Sequence, residues 1–148
     1  MEAASQGHLE TVQYLLNCGA DPLIGADDNA PPSFFACVHG FADVVEVLLS
    51  SGADPNALRD SDSEVRDGDS RGVSQLEIAV RHGSARIALA LIDAGANIDH
   101  VSHGKTPLDI ALETEMTAVA DRIREVDRRR MQTRQTKLAE QDVGLDAG

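Results

Sequence analysis

The chain predicts an all-α solenoid, a row of stacked helix pairs joined by hairpin loops. Three observations predict it. One phrase recurs: Gly19-Ala20-Asp21-Pro22, Gly52-Ala53-Asp54-Pro55 and Gly95-Ala96-Asn97-Ile98 each follow an apolar run, Leu15-Leu16, Leu48-Leu49 and Leu91-Ile92. A second glycine stands twelve residues before each of the three, at Gly7, Gly40 and Gly83. The first two copies lie 33 residues apart, a period typical of helical repeat arrays. In such an array each unit contacts only its neighbours, and no unit closes a core alone.

The second helix of each unit comes from the positions after its first glycine. Thr11-Val12, Val44-Val45 and Ile87-Ala88 lie four and five residues on, and the apolar pairs eight and nine. These offsets fall on one helical stripe. The glycine suits the left-handed end of a preceding helix. That first helix carries Ala3-Ala4, Ala36-Cys37, Ala79-Val80 and, in a fourth unit, Ala111-Leu112; small residues there allow close helix packing. Its start is legible too. Thr106-Pro107-Leu108-Asp109 supplies a capping hydroxyl, a first-turn proline and an acid three residues on, and Ser74-Gln75-Leu76-Glu77 fits the capping box. Pro31-Pro32-Ser33-Phe34 offers no such cap, so the cap of that helix is expected from elsewhere.

Composition bounds the rest. Aromatic residues are 3% and Trp is absent, so the core is aliphatic. No apolar run reaches the roughly 20 residues of a membrane-spanning helix, and Met1-Glu2-Ala3-Ala4 does not open a secretory signal. Two distant cysteines make no disulfide framework, so the expected site is cytoplasmic, or else nuclear. Net charge is −12, unevenly spread. Residues 1–121 hold 20 acids against 6 bases, whereas residues 122–137 hold 7 bases against Glu125 and Asp127. The acidic body disfavours nucleic acid as the main ligand.

The chain resembles the ankyrin-repeat family, whose pattern is D-x-x-G-x-T-P-L-H-x-A-A-x-x-G-H followed by E-V-V-x-L-L-L-x-x-G-A-D-V-N-A. Gly104-Lys105-Thr106-Pro107-Leu108, Gly7-His8-Leu9-Glu10 and Gly52-Ala53-Asp54-Pro55-Asn56-Ala57 carry the likeness, with Asp69-Ser70-Arg71-Gly72-Val73-Ser74 at a hairpin. It covers about residues 3–126. The family histidine after Thr-Pro-Leu is replaced by Phe34, Glu77 and Asp109, so the family's Thr–His hydrogen bond is expected to be lost and the first helices less firmly held. Glu115-Met116 stands where Gly-His belongs.

The resulting division is an incomplete first repeat at 1–24, a second repeat at 25–57 and a polar loop insertion at 58–67. A third repeat follows at 68–99, a C-terminal capping repeat at 100–126, and a charged extension at 127–148. The insertion accounts for the 43 residues between Gly52 and Gly95. Met1 falls inside what the repeat assigns to a first helix, which points to a longer natural polypeptide or a fragment. Arg124 takes the place of Leu16, Leu49 and Ile92 and suits an outward terminal face. The last helix is expected to continue to Lys137 without an apolar stripe, with 141–148 disordered.

Sites of chemistry are few. Gly104-Lys105-Thr106 lacks the earlier glycine of a phosphate loop, Asp99 standing there instead. Asp60, Asp62 and Glu64 alternate as in a calcium loop, but Val65 and Arg71 replace its glycine and final glutamate. His8 is the family residue, and His100 lies in a hairpin. His39 and His82 occupy equivalent places too far apart to share a metal; with His103 they suit a pH-sensitive contact on a concave side. Cys37 reads as core and Cys18 as exposed at a helix end. No nucleophile, base and orienting group come together, so neither catalysis, cofactor nor metal is expected.

The reading is a protein-binding module, monomeric, with a protein partner. The resemblance implies contact through hairpin tips and the concave face of the first helices. Carried onto this chain, those positions are Asp27, Asp28, Ala30, Val38 and His39 in the second unit. In the third they are Ser70, Arg71, Val73, Arg81 and His82. In the fourth they are Ser102, His103, Lys105, Glu113 and Thr114. Phe35 adjoins them as an aromatic anchor. Alternatives are a regulatory segment of a larger enzyme, a stoichiometric inhibitor of an enzyme such as a kinase, and an adaptor reaching acidic lipid or nucleic acid through the Arg-rich helix.

Overall fold

The computed structural model describes residues 2–25, 30–59 and 72–145, with side chains through residue 141 except that of Arg59. Helices come in antiparallel pairs: α1 (Glu2–Ser5) with α2 (Leu9–Asn17), α3 (Pro32–His39) with α4 (Ala42–Ser50), α5 (Gln75–Arg81) with α6 (Ala85–Asp93), and α7 (Pro107–Glu113) with α8 (Thr117–Leu145). First helices touch in the order α1, α3, α5, α7, and second helices in the order α2, α4, α6, α8. The result is a two-layer stack, as the repeat spacing requires.

Burial follows the stripe. Val44, Val45 and Leu48 of α4, Ile87, Ala88 and Leu91 of α6, and Val119, Ala120 and Ile123 of α8 are all buried. Ala36, Ala79 and Ala111, at matching places in three first helices, are each 0% exposed. The side chain there is a methyl, so neighbouring first helices approach closely. The pattern fails at both ends of the described stack. Leu15, the counterpart of Leu48 and Leu91, is 41% exposed, and Leu112, the counterpart of buried Cys37 and Val80, is 49% exposed. Neither has a further helix beside it. Arg124 is exposed, as its outward place predicts, and pairs with Asp121 at 3.3 Å.

Each helix pair turns at a left-handed residue. Gly7, Gly40 and Gly83 have φ of 72°, 77° and 71°. At Gly7 a side chain is excluded twice over, since an added Cβ would stand 2.6 Å from the Phe41 ring. Glu115 takes the same role in the fourth unit with φ 57°, a conformation that costs a non-glycine residue about 1 kcal/mol.

Two short pairings depart from the purely helical expectation. β1 (Leu58–Arg59) runs antiparallel to β2 (Val73–Ser74), Leu58 opposite Ser74 and Arg59 opposite Val73. The stretch expected as an inserted loop therefore begins with one arm of a hairpin, because its backbone groups find a ladder partner. The calcium-like Asp60, Asp62 and Glu64 lie outside the described residues. Ser102 and Lys105 bridge across the left-handed pair His103 and Gly104, φ 52° and 72°, the geometry of a tight hairpin turn. At the far end α8 continues to Leu145, past the Lys137 limit and through part of the stretch expected to lack order. Its good helix formers carry it.

Ala79→Asp puts a charge at a fully enclosed methyl between α3 and α7. It should lower unfolding free energy by at least about 3 kcal/mol in urea titration. Ala118→Asp, at an exposed place on α8, should stay within about 0.5 kcal/mol. Equal stability of the two variants would refute the register.

Candidate functional site

Side-by-side first helices put equivalent residues in a row. Val38-His39, Arg81-His82 and Glu113-Thr114 each stand just before the left-handed turn of their unit. The stack therefore presents them in succession along one edge, about 8–10 Å from helix to helix. His39, Arg81, His82, Glu113 and Thr114 are exposed there, and Val38 is half-buried. Phe35 is half-buried as well, its ring edge-on to Phe34 at a centroid distance of 6.2 Å. The His39 ring lies 6.0 Å from that of Phe41.

Unit three meets the hairpin of unit four through a buried acid. Ser74 caps α5 by accepting the Glu77 backbone N–H at 3.1 Å; the Glu77 side chain is buried beside it. That carboxylate is 2% exposed; Arg81 Nε donates to its Oε1 at 2.8 Å, and His103 Nδ1 stands 3.9 Å away. The other oxygen, Oε2, has no hydrogen-bond partner among the described residues. His103 is itself 75% exposed, and the Ser102 hydroxyl holds its Nδ1 at 2.8 Å. Lys105 donates to Glu113 at 2.7 and 2.8 Å, tying the hairpin to the end of α7.

The expected loss of the family's Thr–His bond is not left as a gap in the fourth unit. Thr106 forms a full capping box with Asp109: its hydroxyl accepts the Asp109 N–H at 3.2 Å, and Asp109 Oδ2 accepts from the Thr106 N–H at 2.9 Å and hydroxyl at 2.7 Å. The backbone bond first, then the hydroxyl, hold the Asp109 carboxyl below the usual range. The acid replaces the histidine as an acceptor, so α7 is anchored. α3 starts at Pro32 after Pro31 and has no side-chain cap, so the cap expected from elsewhere is not found among the described residues.

Two expected contact residues are not available to a partner. Ala30 is 0% exposed, packed so closely that an added Cβ on Gly25 would fall 2.4 Å from its carbonyl oxygen. Ser102 is 3% exposed because its backbone is paired to Lys105 and its hydroxyl to His103. Val73 is half-buried in β2. Asp27, Asp28, Ser70 and Arg71 lie outside the described residues.

Sequence reasoning missed the polar tie between units two and three. Gln75 is 0% exposed; its Nε2 donates to the Asp54 carbonyl at 3.0 Å and reaches that of Ala57 at 3.4 Å, and its Oε1 faces Cys37 Sγ at 3.7 Å. It stands where the family pattern has proline, which is the signal that marked it. Burial pushes the Cys37 thiol up to about 12, in keeping with a core cysteine, while Cys18 is exposed at the end of α2. Asn56 adds a second tie, accepting the Asn97 N–H at 2.6 Å and donating to the Gly95 carbonyl at 3.3 Å.

On the opposite side, arginines stitch the second helices. Arg86 of α6 reaches Asp43 and Glu46 of α4 at 2.6 and 2.8 Å, and Arg122 of α8 reaches Asp93 of α6 at 2.6 Å. Among the described residues no group of three or more His, Cys, Asp or Glu is placed to hold a metal ion. No described helix is long and apolar enough to cross a membrane.

A family profile described as "Ankyrin repeats (3 copies)" matches residues 1–59. The chain is 34% identical over 113 residues to rat cyclin-dependent kinase 4 inhibitor B, covering 75% of this chain and 78% of that one. The chain belongs to the ankyrin-repeat family. It is also 27% identical over 184 residues to bovine mitochondrial disaggregase, a match that takes in 99% of this ankyrin chain but 27% of the bovine protein. Mouse ankyrin repeat and SOCS box protein 2 is 38% identical over 73 residues, 49% of this chain and 10% of its own length. The ankyrin chain thus spans 27% and 10% of two of these relatives and 78% of the other.

Thr106→Val should cost about 1 kcal/mol at pH 7 by removing the cap. Because the folded Asp109 pKa is lowered, its share of stability is complete above its ordinary value of 3.8 and fades as pH falls through the folded value. The difference between Thr106→Val and the parent should therefore shrink in urea titrations below pH 3.8. A second test concerns the buried acid. Arg81→Ala leaves the Glu77 carboxylate without its donor and should cost about 1–2 kcal/mol, whereas adding Glu77→Leu should recover most of that loss.

Proposed function

We propose that this chain is a non-catalytic binding module that grips a partner protein along the hairpin tips and the concave edge of its first helices. The observation that carries the reading is the row of exposed, chemically varied side chains, His39, Arg81, His82, Glu113 and Thr114, at matching places of successive units. Rigid helices hold them at fixed spacing, and half-buried Phe35 adds an aromatic surface beside them. Ankyrin stacks bind proteins, and nothing in that role needs a cofactor. The unit boundaries near residues 24, 57, 99 and 126, a monomeric chain and a cytoplasmic or nuclear site belong to the same reading.

The span shared with cyclin-dependent kinase 4 inhibitor B supports a narrower version, in which the partner is a protein kinase and the chain inhibits it stoichiometrically. That relative matches over 78% of its length in rat and 82% in human. The match to a disaggregase covering 27% of the larger protein supports another, in which the chain is a regulatory part of a larger enzyme.

Quantitative capture from the source cell should recover a partner that the double variant His39→Glu, His82→Glu, at two exposed places, loses at least about tenfold. Arg86→Glu, on the second-helix side, should keep it. Loss in the Arg86 variant alone would move the interface to the other face. Titrating the chain into purified cyclin-dependent kinase 4 complex tests the narrower version: inhibition should saturate at one chain per kinase, and unchanged kinase activity would remove that partner.

A further inference from the structure

The last helix leaves the stack before it ends. α8 packs on α6 and α7 through Val119, Ala120 and Ile123, then runs on with residues 127–141 exposed. Between this overhang and the end of α6 lies an open groove of about 730 Å³. Five cationic side chains line it, Arg122, Arg129, Arg130, Arg134 and Lys137, against three carboxylates. Arg122 is held by Asp93, Arg129 by Glu125, and Arg130 by Asp99 at 3.1 Å. Those contacts fix three of the cations along the wall. Arg134 and Lys137 form no ion pair among the described residues, and they stand three residues apart on one face. Val126 and Met131 line the same groove, Met131 at 53% exposure.

We propose that this groove binds an acidic peptide segment of a partner protein, with carboxylates on Arg134 and Lys137 and an apolar side chain against Met131 and Val126. Charge complementarity selects the occupant. A nucleic-acid duplex or an anionic membrane extends well past the groove and meets a body whose residues 1–121 carry 20 acids against 6 bases, which repels it. A short peptide is confined to the cationic wall. The apolar lining also suits a peptide side chain and offers nothing to a phosphate backbone. Arg128 does not line the groove; at 100° per residue it falls on the opposite face of α8. This surface is separate from the concave edge and does not depend on it.

The test uses the full chain and a fluorescein-labelled peptide of three Glu-Glu-Leu-Glu repeats, read by anisotropy. Saturable binding is expected, weakened at least about tenfold by Arg134→Glu with Lys137→Glu and less than about twofold by Arg128→Glu. The same peptide with Gln for Glu should not bind. Circular dichroism should show equal helicity in all variants, since the altered side chains touch no core residue. Equal losses from Arg128→Glu and the double variant would overturn the proposal. So would tighter binding of a 20-base-pair RNA duplex or phosphatidylserine vesicles than of the peptide, or no saturation by about 1 mM. Self-association of the chain that the double variant abolishes would assign the groove to a second copy instead.

Discussion

Close contact between small side chains is the constraint on which this stack depends. Ala36, Ala79 and Ala111 are enclosed completely, and each allows one first helix to lie against the next. Only with that approach do the longer side chains behind them, Leu48, Ile87 and Leu91, meet across units and leave water. Each such burial is worth about 1.5–3 kcal/mol. No helix pair here could gather that amount from its own residues, so stability is a property of the boundaries between units. The exposure of Leu15 and Leu112 at the ends of the described stack is the same rule seen from outside: an identical place, with no neighbour, stays wet.

Polar groups are used differently on the two sides of the slab. Along the second helices, Arg86 and Arg122 make exposed ion pairs to the preceding unit, and their carboxylate hydrogen bonds raise both guanidinium pKa values. Such pairs contribute little to stability in salt, but they align neighbours. Near the hairpins the polar contacts are enclosed. Gln75 satisfies backbone carbonyls of the preceding unit, and Glu77 sits beneath Arg81 and His103. Breaking those is more costly, because a desolvated group is left alone.

Helix positions, the left-handed glycines and the core stripe were legible because periodicity and φ requirements leave their mark residue by residue. Cys37 and the outward Arg124 were legible for the same reason. What escaped was tertiary. Ala30 and Ser102 occupy places that face outward in the family pattern, but a neighbouring turn closes over one and a hairpin bridge absorbs the other. Gln75 in place of proline and Glu77 in place of histidine announced a change without announcing its partner. The hairpin arm at Leu58-Arg59 has only two residues, too short for any pattern of alternation to emerge. The exposure of the positions before each left-handed turn differs from residue to residue for these local reasons.

The junction between the second and third helix pairs joins by surface more than by chain. Thirteen or so residues of sequence separate Arg59 from Val73, yet α3 meets α5, α4 meets α6, and the Gln75 amide is inserted into the older unit's backbone. Mutual recognition there is written in the two faces themselves. The molecule accordingly has a natural seam: a polypeptide ending after β1 and another starting at β2 carry complementary halves of one lock, and the continuous peptide mainly raises their effective concentration for each other.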